Sequence, residues 1–182
     1  GKRIDIDWTA VGLGDVGEWD RFQILLTGAP PIPVGDRLYL YYRGTPRRHA
    51  KTRREYDERI AADQDRSTMA IGLATLRLDG FADLRASYDG GALMTRPFAL
   101  SGTQLRLNAK ASYGRVRVEL LDAQERVQPG FGADDCVPIE ADGVDLPVRW
   151  GPDGRRPLPP GPVRLRFHLH NARLYAYWLA GG

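Results

Sequence analysis

The chain has 182 residues, and its 26 lysines and arginines stand against 23 aspartates and glutamates, so its formal charge is +3. This near balance does not favour nucleic acid as a partner. No apolar run is long enough for a membrane span, so we expect no membrane partner either. The 21 glycines and 13 prolines predict many short elements joined by turns. Cys136 is the only cysteine, which excludes an intramolecular disulfide and a cysteine-based zinc site.

The first part of the chain is predicted to contain four β-strands. They cover residues 3–8, 22–27, 38–43 and 69–78, with prolines and a Gly35-Asp36 turn between the second and the third. The third strand is apolar or aromatic at every position from 38 to 42. Such a strand needs cover on both of its faces.

Residues 44–68 form a long connection between the third and the fourth predicted strands. The segment carries seven basic and five acidic residues, and its stretch 52–62 could form a short helix. Two interpretations stay open: a solvated excursion, or a lid or subunit contact. The mixed charge argues against a phosphate-binding arm.

From residue 81 onward, apolar and polar residues alternate with a period of two. The alternation is clearest at residues 105–108, 115–120 and 163–170. Strands with one apolar and one wet face are typical of antiparallel sheets packed face to face. About seven such strands predict a β-sandwich at 81–182, preceded by a separate unit at 1–80.

Two runs of unit 1–80 carry a family resemblance. Residues 34–44, VGDRLYLYYRG, and residues 71–81, IGLATLRLDGF, resemble the closing blade of five-bladed β-propeller glycoside hydrolases, the group that includes arabinanases and invertases. The Trp19-Asp20 pair stands where such proteins often have an aromatic residue followed by Asp. The segments 105–109, 116–122 and 162–169 resemble the β-sandwich that follows the propeller in one branch of this group.

The resemblance implies an all-β fold, with a propeller-type blade followed by an antiparallel β-sandwich that buttresses it. It implies a protein that acts on the glycosidic bonds of carbohydrate, without a cofactor or metal. The chain has sequence for about one blade, so the missing N-terminal propeller blades of the same protein are the implied partner, upstream of Gly1. In this family the catalytic carboxylates come largely from earlier blades, and we therefore expect no catalytic residue in this chain.

The residues considered for a sugar site are Trp19, Asp20 and His49. Aromatic rings stack on the apolar face of a sugar, and an Asp beside such a ring could bind hydroxyl groups; the alternative for Asp20 is a role in a turn. Asp15 and Glu18 are the other carboxylates near Trp19, but their clustering in sequence does not establish the facing geometry of a glycosidase pair. His49 is expected either to contact substrate or to be an ordinary loop residue.

The remaining candidates favour structural roles. His168 and His170 point to one face of a strand together with Arg164 and Arg166, with no carboxylate expected beside them. We expect either a solvated face or, as the alternative, a contact with an anion or an acidic sugar. Cys136 is expected to be a buried structural thiol, and Asp134-Asp135 a turn instead of a calcium loop.

Two other functions stay open. One is a non-catalytic carbohydrate-binding module with a tryptophan platform at Trp19 or Trp150. The other is a structural or oligomerisation domain that uses the charged segment 44–68.

Overall fold

The computed structural model describes residues 12–15, 18–46, 69–154 and 156–181, and these residues form β-strands and turns with no helix. The predicted all-β class is confirmed. The chain divides into two compact units, Gly1–Leu78 and Asp79–Gly182, called unit 1 and unit 2 below. The sequence placed this division two residues later, after residue 80.

Unit 1 contains an antiparallel sheet around one central strand. Its strands are β1 (Gln23–Leu26), β2 (Ile32–Val34), β3 (Arg37–Thr45) and β4 (Ala70–Arg77). β4 pairs with β3 along residues 37–44, so β1 and β2 share the opposite edge of β3. β2 was not predicted, because Pro31 and Pro33 argue against a strand; proline is tolerated in a strand with a free edge. The strand predicted at 3–8 and the helix considered at 52–62 lie outside the described residues.

The two faces of this sheet differ in what covers them. Leu38 and Tyr42 lie on one face and are buried. Tyr41 lies on the other face and pairs with Leu73 on β4. Alternation and register place further large apolar side chains on that second face; Tyr39 is half-buried, and the others are exposed. Three arginines, Arg37, Arg43 and Arg77, lie on the same face. This surface is called the apolar face of unit 1, and it consists of Leu25, Ile32, Val34, Tyr41, Ile71 and Leu73.

Unit 2 contains two antiparallel sheets. Its strands are β5 (Leu84–Ala86), β6 (Gly91–Met94), β7 (Phe98–Ala99), β8 (Gln104–Lys110), β9 (Arg115–Leu121), β10 (Asp142–Pro147), β11 (Pro162–His170) and β12 (Ala172–Ala180). One sheet has the order β10-β8-β12-β5. In the other, β11 pairs with β9 on one edge and with β6 and β7 on the other.

The inward side chains of both sheets form one hydrophobic core. Leu105 and Leu107 from β8 pack with Val118 from β9 and with Leu165 and Phe167 from β11, all with no more than 1% of their surface exposed. Each such side chain stabilises the fold by roughly 1.5–3 kcal/mol relative to exposure. The alternation in the sequence therefore predicted these apolar positions correctly, but Asn108 and Glu119, which it placed on the wet face, are also buried.

Candidate functional site

The two residues predicted together, Trp19 and Asp20, do form a local cluster in unit 1. They occupy a turn that leads into β1, and Tyr42 on β3 lies against both. The Tyr42 hydroxyl donates a hydrogen bond of 3.0 Å to Oδ2 of Asp20. The rings of Trp19 and Tyr42 stack, with centroids 5.6 Å apart and an interplanar angle of 19°.

Three glycines make room for this cluster, and a Cβ atom at the first of them, Gly14, would overlap the Asp20 carboxylate. A Cβ atom at Gly44 would overlap the Trp19 ring, and one at Gly72 would overlap the Tyr42 ring. Gly72 is the cross-strand partner of Tyr42, so the tyrosine ring lies flat over the β4 backbone. Such close approach to a backbone is a common reason for glycine inside a strand.

The electrostatics of the cluster follow from its burial. Asp20 is only 8% exposed, and Tyr42 is also buried. Burial, followed by the hydrogen bond to Asp20 and its negative charge, raises the pKa of Tyr42. The tyrosine therefore stays protonated and acts as a donor, while Asp20 acts as an acceptor. The buried carboxylate is committed to an internal hydrogen bond, and one face of Trp19 is covered by Tyr42.

The other residues proposed near this site are placed as follows. Asp15 and Glu18 are exposed, and the only contact found between them is a turn in which the Glu18 N–H donates to the Asp15 carbonyl. His49 lies outside the described residues, so its suggested contact with substrate stays a prediction. The structure thus brings together Trp19, Asp20 and Tyr42, a residue of the predicted third strand.

A second polar cluster lies on the outer face of the β9–β11 pair, and it corrects one expectation. His168 was expected to have no carboxylate beside it, but its Nε2 is 2.9 Å from Oε2 of Glu119. Arg166 donates to the same oxygen at 3.0 Å, and the backbone N–H of Ala133 donates to the other oxygen at 3.3 Å. The register, which pairs Glu119 with Arg166, causes this contact.

The Glu119 cluster favours the ionised carboxylate. Burial by itself would raise the pKa of Glu119, but the hydrogen bond and charge of His168, the Ala133 N–H and the Arg166 guanidinium outweigh burial and lower it. Neighbouring Arg117 donates to Asp134 at 3.0 Å. Strand β9 thereby holds the 130–135 turn through two side chains. Arg166 and His168 share Glu119, and Arg117 is paired with Asp134, which is typical of a structural network.

Cys136 is buried, as predicted, and the adjacent acidic pair lies in a turn, as predicted. The sulfur of Cys136 accepts a hydrogen bond of 3.3 Å from the Val118 N–H. Burial raises the pKa of its thiol to about 11. Asp135 closes a turn by accepting from the Gly132 N–H at 2.9 Å. Within the described ranges, no three His, Cys, Asp or Glu residues are grouped as metal ligands would be.

Trp150 is not a sugar platform. It is 2% exposed, its indole N–H donates to the Val118 carbonyl at 2.8 Å, and its ring packs edge-on against Phe131. The suggestion of a binding surface on Trp150 is therefore wrong. A large aromatic ring with a satisfied N–H is an ordinary core residue.

Comparison of the chain with protein-family models, with curated proteins and with solved structures finds no match. No helix in the part of the chain that the structure describes is long and apolar enough to cross a membrane.

Proposed function

We propose that this chain is the C-terminal part of a glycosidase-like protein that acts on the glycosidic bonds of carbohydrate. In this proposal unit 1 is a propeller blade, unit 2 is an accessory β-sandwich, and the chain alone does not catalyse hydrolysis. The single observation that supports it best is the apolar face of unit 1. Six large apolar side chains on one face of one small sheet remain exposed, up to 66% for Ile71.

Exposed apolar side chains gathered on one face mark a place where another protein surface packs. The same face also carries Arg37, Arg43 and Arg77, so the contact is partly polar. A sheet three strands wide cannot bury both of its faces by itself. In a propeller, each blade packs between its neighbours around a central channel. The partner that fits the apolar face is therefore another sheet, supplied by the upstream blades of the same protein.

The proposal also assigns the chemistry to that upstream region. Glycoside hydrolysis needs two carboxyl groups on opposite sides of the scissile bond. Asp20 is buried and bonded to Tyr42, while Asp15 and Glu18 lie on a turn. Trp19, Asp20 and His49 are proposed to line a sugar site that becomes complete only with the missing blades.

The first test is the mass of the native polypeptide, detected with an antibody raised against this chain. A product several blades larger than 20.3 kDa is expected. The longer protein should hydrolyse members of a chromogenic glycoside panel, and the present chain should hydrolyse none. A native product of 20.3 kDa would contradict the propeller argument.

A second test addresses the apolar face directly. The upstream region and this chain are expressed as separate polypeptides and assayed for association. The double substitution Ile71→Lys with Leu73→Lys should abolish association, because it puts two charges into the apolar contact. Val137→Lys, at an exposed apolar residue of unit 2, is the matched control and should leave association intact. Equal association of the two variants would refute the role of this face.

A further inference from the structure

Three turns at one end of the unit 2 sandwich present two tyrosines to solvent. Tyr88 lies in the turn between β5 and β6 and is 69% exposed, and Tyr113 lies in the turn between β8 and β9 and is 84% exposed. Both residues line a cleft of about 350 Å³, called the tyrosine cleft. Its lining includes Arg85, Tyr88, Lys110, Tyr113, Asn171 and Arg173.

The turns that carry the tyrosines are tied together by Asn171. Its backbone N–H donates to the Ser87 carbonyl at 2.8 Å, and its side-chain amide donates to the Tyr113 carbonyl at 2.6 Å. Asn171 has φ 45°, a left-handed conformation that Asn tolerates better than most residues. A Cβ atom at Gly114 would overlap the His170 carbonyl oxygen, so this close approach of two turns requires glycine.

The exposure of the tyrosines has no explanation in packing. Tyr113 has most of its surface in solvent, and Tyr88 contacts the edge of His170 with ring centroids 5.9 Å apart. Exposed aromatic rings held by rigid turns are well suited to binding, because little conformational entropy is lost when a ligand stacks on them. The cleft volume lies at the lower end of the roughly 300–1,000 Å³ found for small-molecule sites.

The charged side chains that line the cleft are all cations. Arg85 and Arg173 share one acid, Asp83, at 4.0 and 3.3 Å, and Lys110 lies 3.9 Å from Asp142. Neither acid is part of the cleft lining in the described part of the chain. The cleft lining therefore contains three cations and no carboxylate, while Asp83 and Asp142 lie just outside it, within 4.0 Å of these cations. Such a set matches a ligand that carries its own carboxylate groups.

We propose that the tyrosine cleft binds an anionic saccharide, one whose sugar rings carry carboxylate groups. Tyr88 and Tyr113 stack on the apolar faces of the rings, and Lys110 and Arg173 bind the carboxylates. Asn171 is a positioning residue that holds both tyrosine turns. The site is built entirely from unit 2, so it does not depend on the role proposed for unit 1.

The test is calorimetric titration of the full chain at low salt with trimers of galacturonate, mannuronate or glucuronate, and with the matching neutral trimers. At least one uronate trimer should bind about tenfold more tightly than its neutral counterpart, because of the charged donors. Tyr88→Ala and Tyr113→Ala should each weaken binding by about three- to tenfold, while Tyr113→Phe should retain it.

Charge is tested separately from stacking. Lys110→Gln should weaken binding of the uronate trimer and leave any binding of the neutral trimer unchanged. Arg149→Gln is the matched control, because Arg149 is an exposed cation that lines a different cavity, beside the opposite end of β8. Arg149→Gln should change neither the affinity for the uronate trimer nor that for the neutral trimer.

Three results would overturn the proposal. The first is no binding of any uronate trimer, and the second is equal affinity for uronate and neutral trimers. The third is equal binding of polyglutamate, which would show a general attraction for polyanions. None of these results bears on the mass of the native protein, so failure here is distinguishable from failure of the proposed function.

Discussion

Replacement of Glu119 by glutamine should destabilise unit 2, because this carboxylate joins three elements. Glu119 accepts from Arg166 on β11 at 3.0 Å, contacts His168 at 2.9 Å, and accepts from the Ala133 N–H of the turn at 3.3 Å. Its side chain is 11% exposed, so solvent screens these contacts little. Glutamine keeps the size of the side chain but removes the charge and puts an amide donor opposite two other donors.

The size of the effect follows from these contacts. Hydrogen bonds to a charged group contribute about 1.5–3 kcal/mol, and breaking a buried ion pair costs about 3–5 kcal/mol. Because the partners Arg166 and His168 are partly exposed, at 31% and 40%, and can be solvated after the substitution, we expect Glu119→Gln to lower the free energy of unfolding by about 2 kcal/mol. This corresponds to a urea midpoint lower by about 1 M. Glu140→Gln, at an exposed carboxylate, should change it by less than about 0.5 kcal/mol.

The lowered pKa of Glu119 predicts how the difference in stability between wild type and Glu119→Gln changes with pH. The pKa of Glu119 in the folded protein lies below its ordinary value of 4.5. Its contribution is therefore complete above pH 4.5 and is lost as the pH falls through the lower folded value. The gap between wild type and Glu119→Gln should narrow on acidification below pH 4.5.

The assay is hydrogen exchange by mass spectrometry across a urea series, since peptides from β9 and β11 report on unit 2 separately from unit 1. The reasoning would be refuted if Glu119→Gln behaved like Glu140→Gln. A gap that widened at low pH would refute it as well.

Two further predictions concern buried polar groups. Tyr42→Phe leaves the buried Asp20 carboxylate without its 3.0 Å donor and should destabilise unit 1 by about 1–3 kcal/mol, measured by exchange in β3 peptides. The neighbouring Tyr41→Phe is its control, and an equal loss in both would argue against the hydrogen bond. Because burial raises the pKa of Cys136 to about 11, a disulfide reagent at pH 8 should label it only after unfolding. Between pH 9 and 11 the unfolded thiol ionises and the folded thiol does not, so the free energy of unfolding should fall over this range. Rapid labelling of the native protein at pH 8 would contradict the burial of Cys136 and the pH dependence that follows from it.

The sequence predicted the strands of unit 2 because alternation reports directly on burial. Val163, Leu165 and Phe167 read as one face of a strand, and they are the buried face of β11. The same pattern does not report which residues of another strand lie opposite. The contact between Glu119 and His168 depends on the β9–β11 register, and both residues simply read as wet positions in their own strands. This is why a carboxylate beside the histidines was missed.

The tyrosine cleft was missed for a different reason, although a signal for it exists. Tyr88 and Tyr113 each follow a serine and precede a glycine within two residues, in Ser-Tyr-Asp-Gly and Ser-Tyr-Gly. Such composition places a large aromatic residue at the tip of a turn, where it cannot join the core. Tryptophans are larger and were predicted as platforms instead, but large aromatic rings are also favoured in the core, and Trp150 is buried there.

The Glu119 cluster and the tyrosine cleft can be distinguished by experiment, because Glu119 is buried whereas the tyrosines of the cleft are exposed. On the outer face of β9 and β11, Glu119 is buried and bonded to Arg166, so an added anion would have to displace an internal carboxylate. At the tyrosine cleft, Tyr113 is exposed and contributes almost no packing. Glu119→Gln should therefore reduce stability and leave uronate affinity unchanged, while Tyr113→Ala should reduce affinity and leave stability unchanged. If Glu119→Gln lowered uronate affinity, or Tyr113→Ala lowered stability, the two surfaces would be coupled through the turns. Loss of affinity in Glu119→Gln alone would place the binding site on the sheet and not in the cleft.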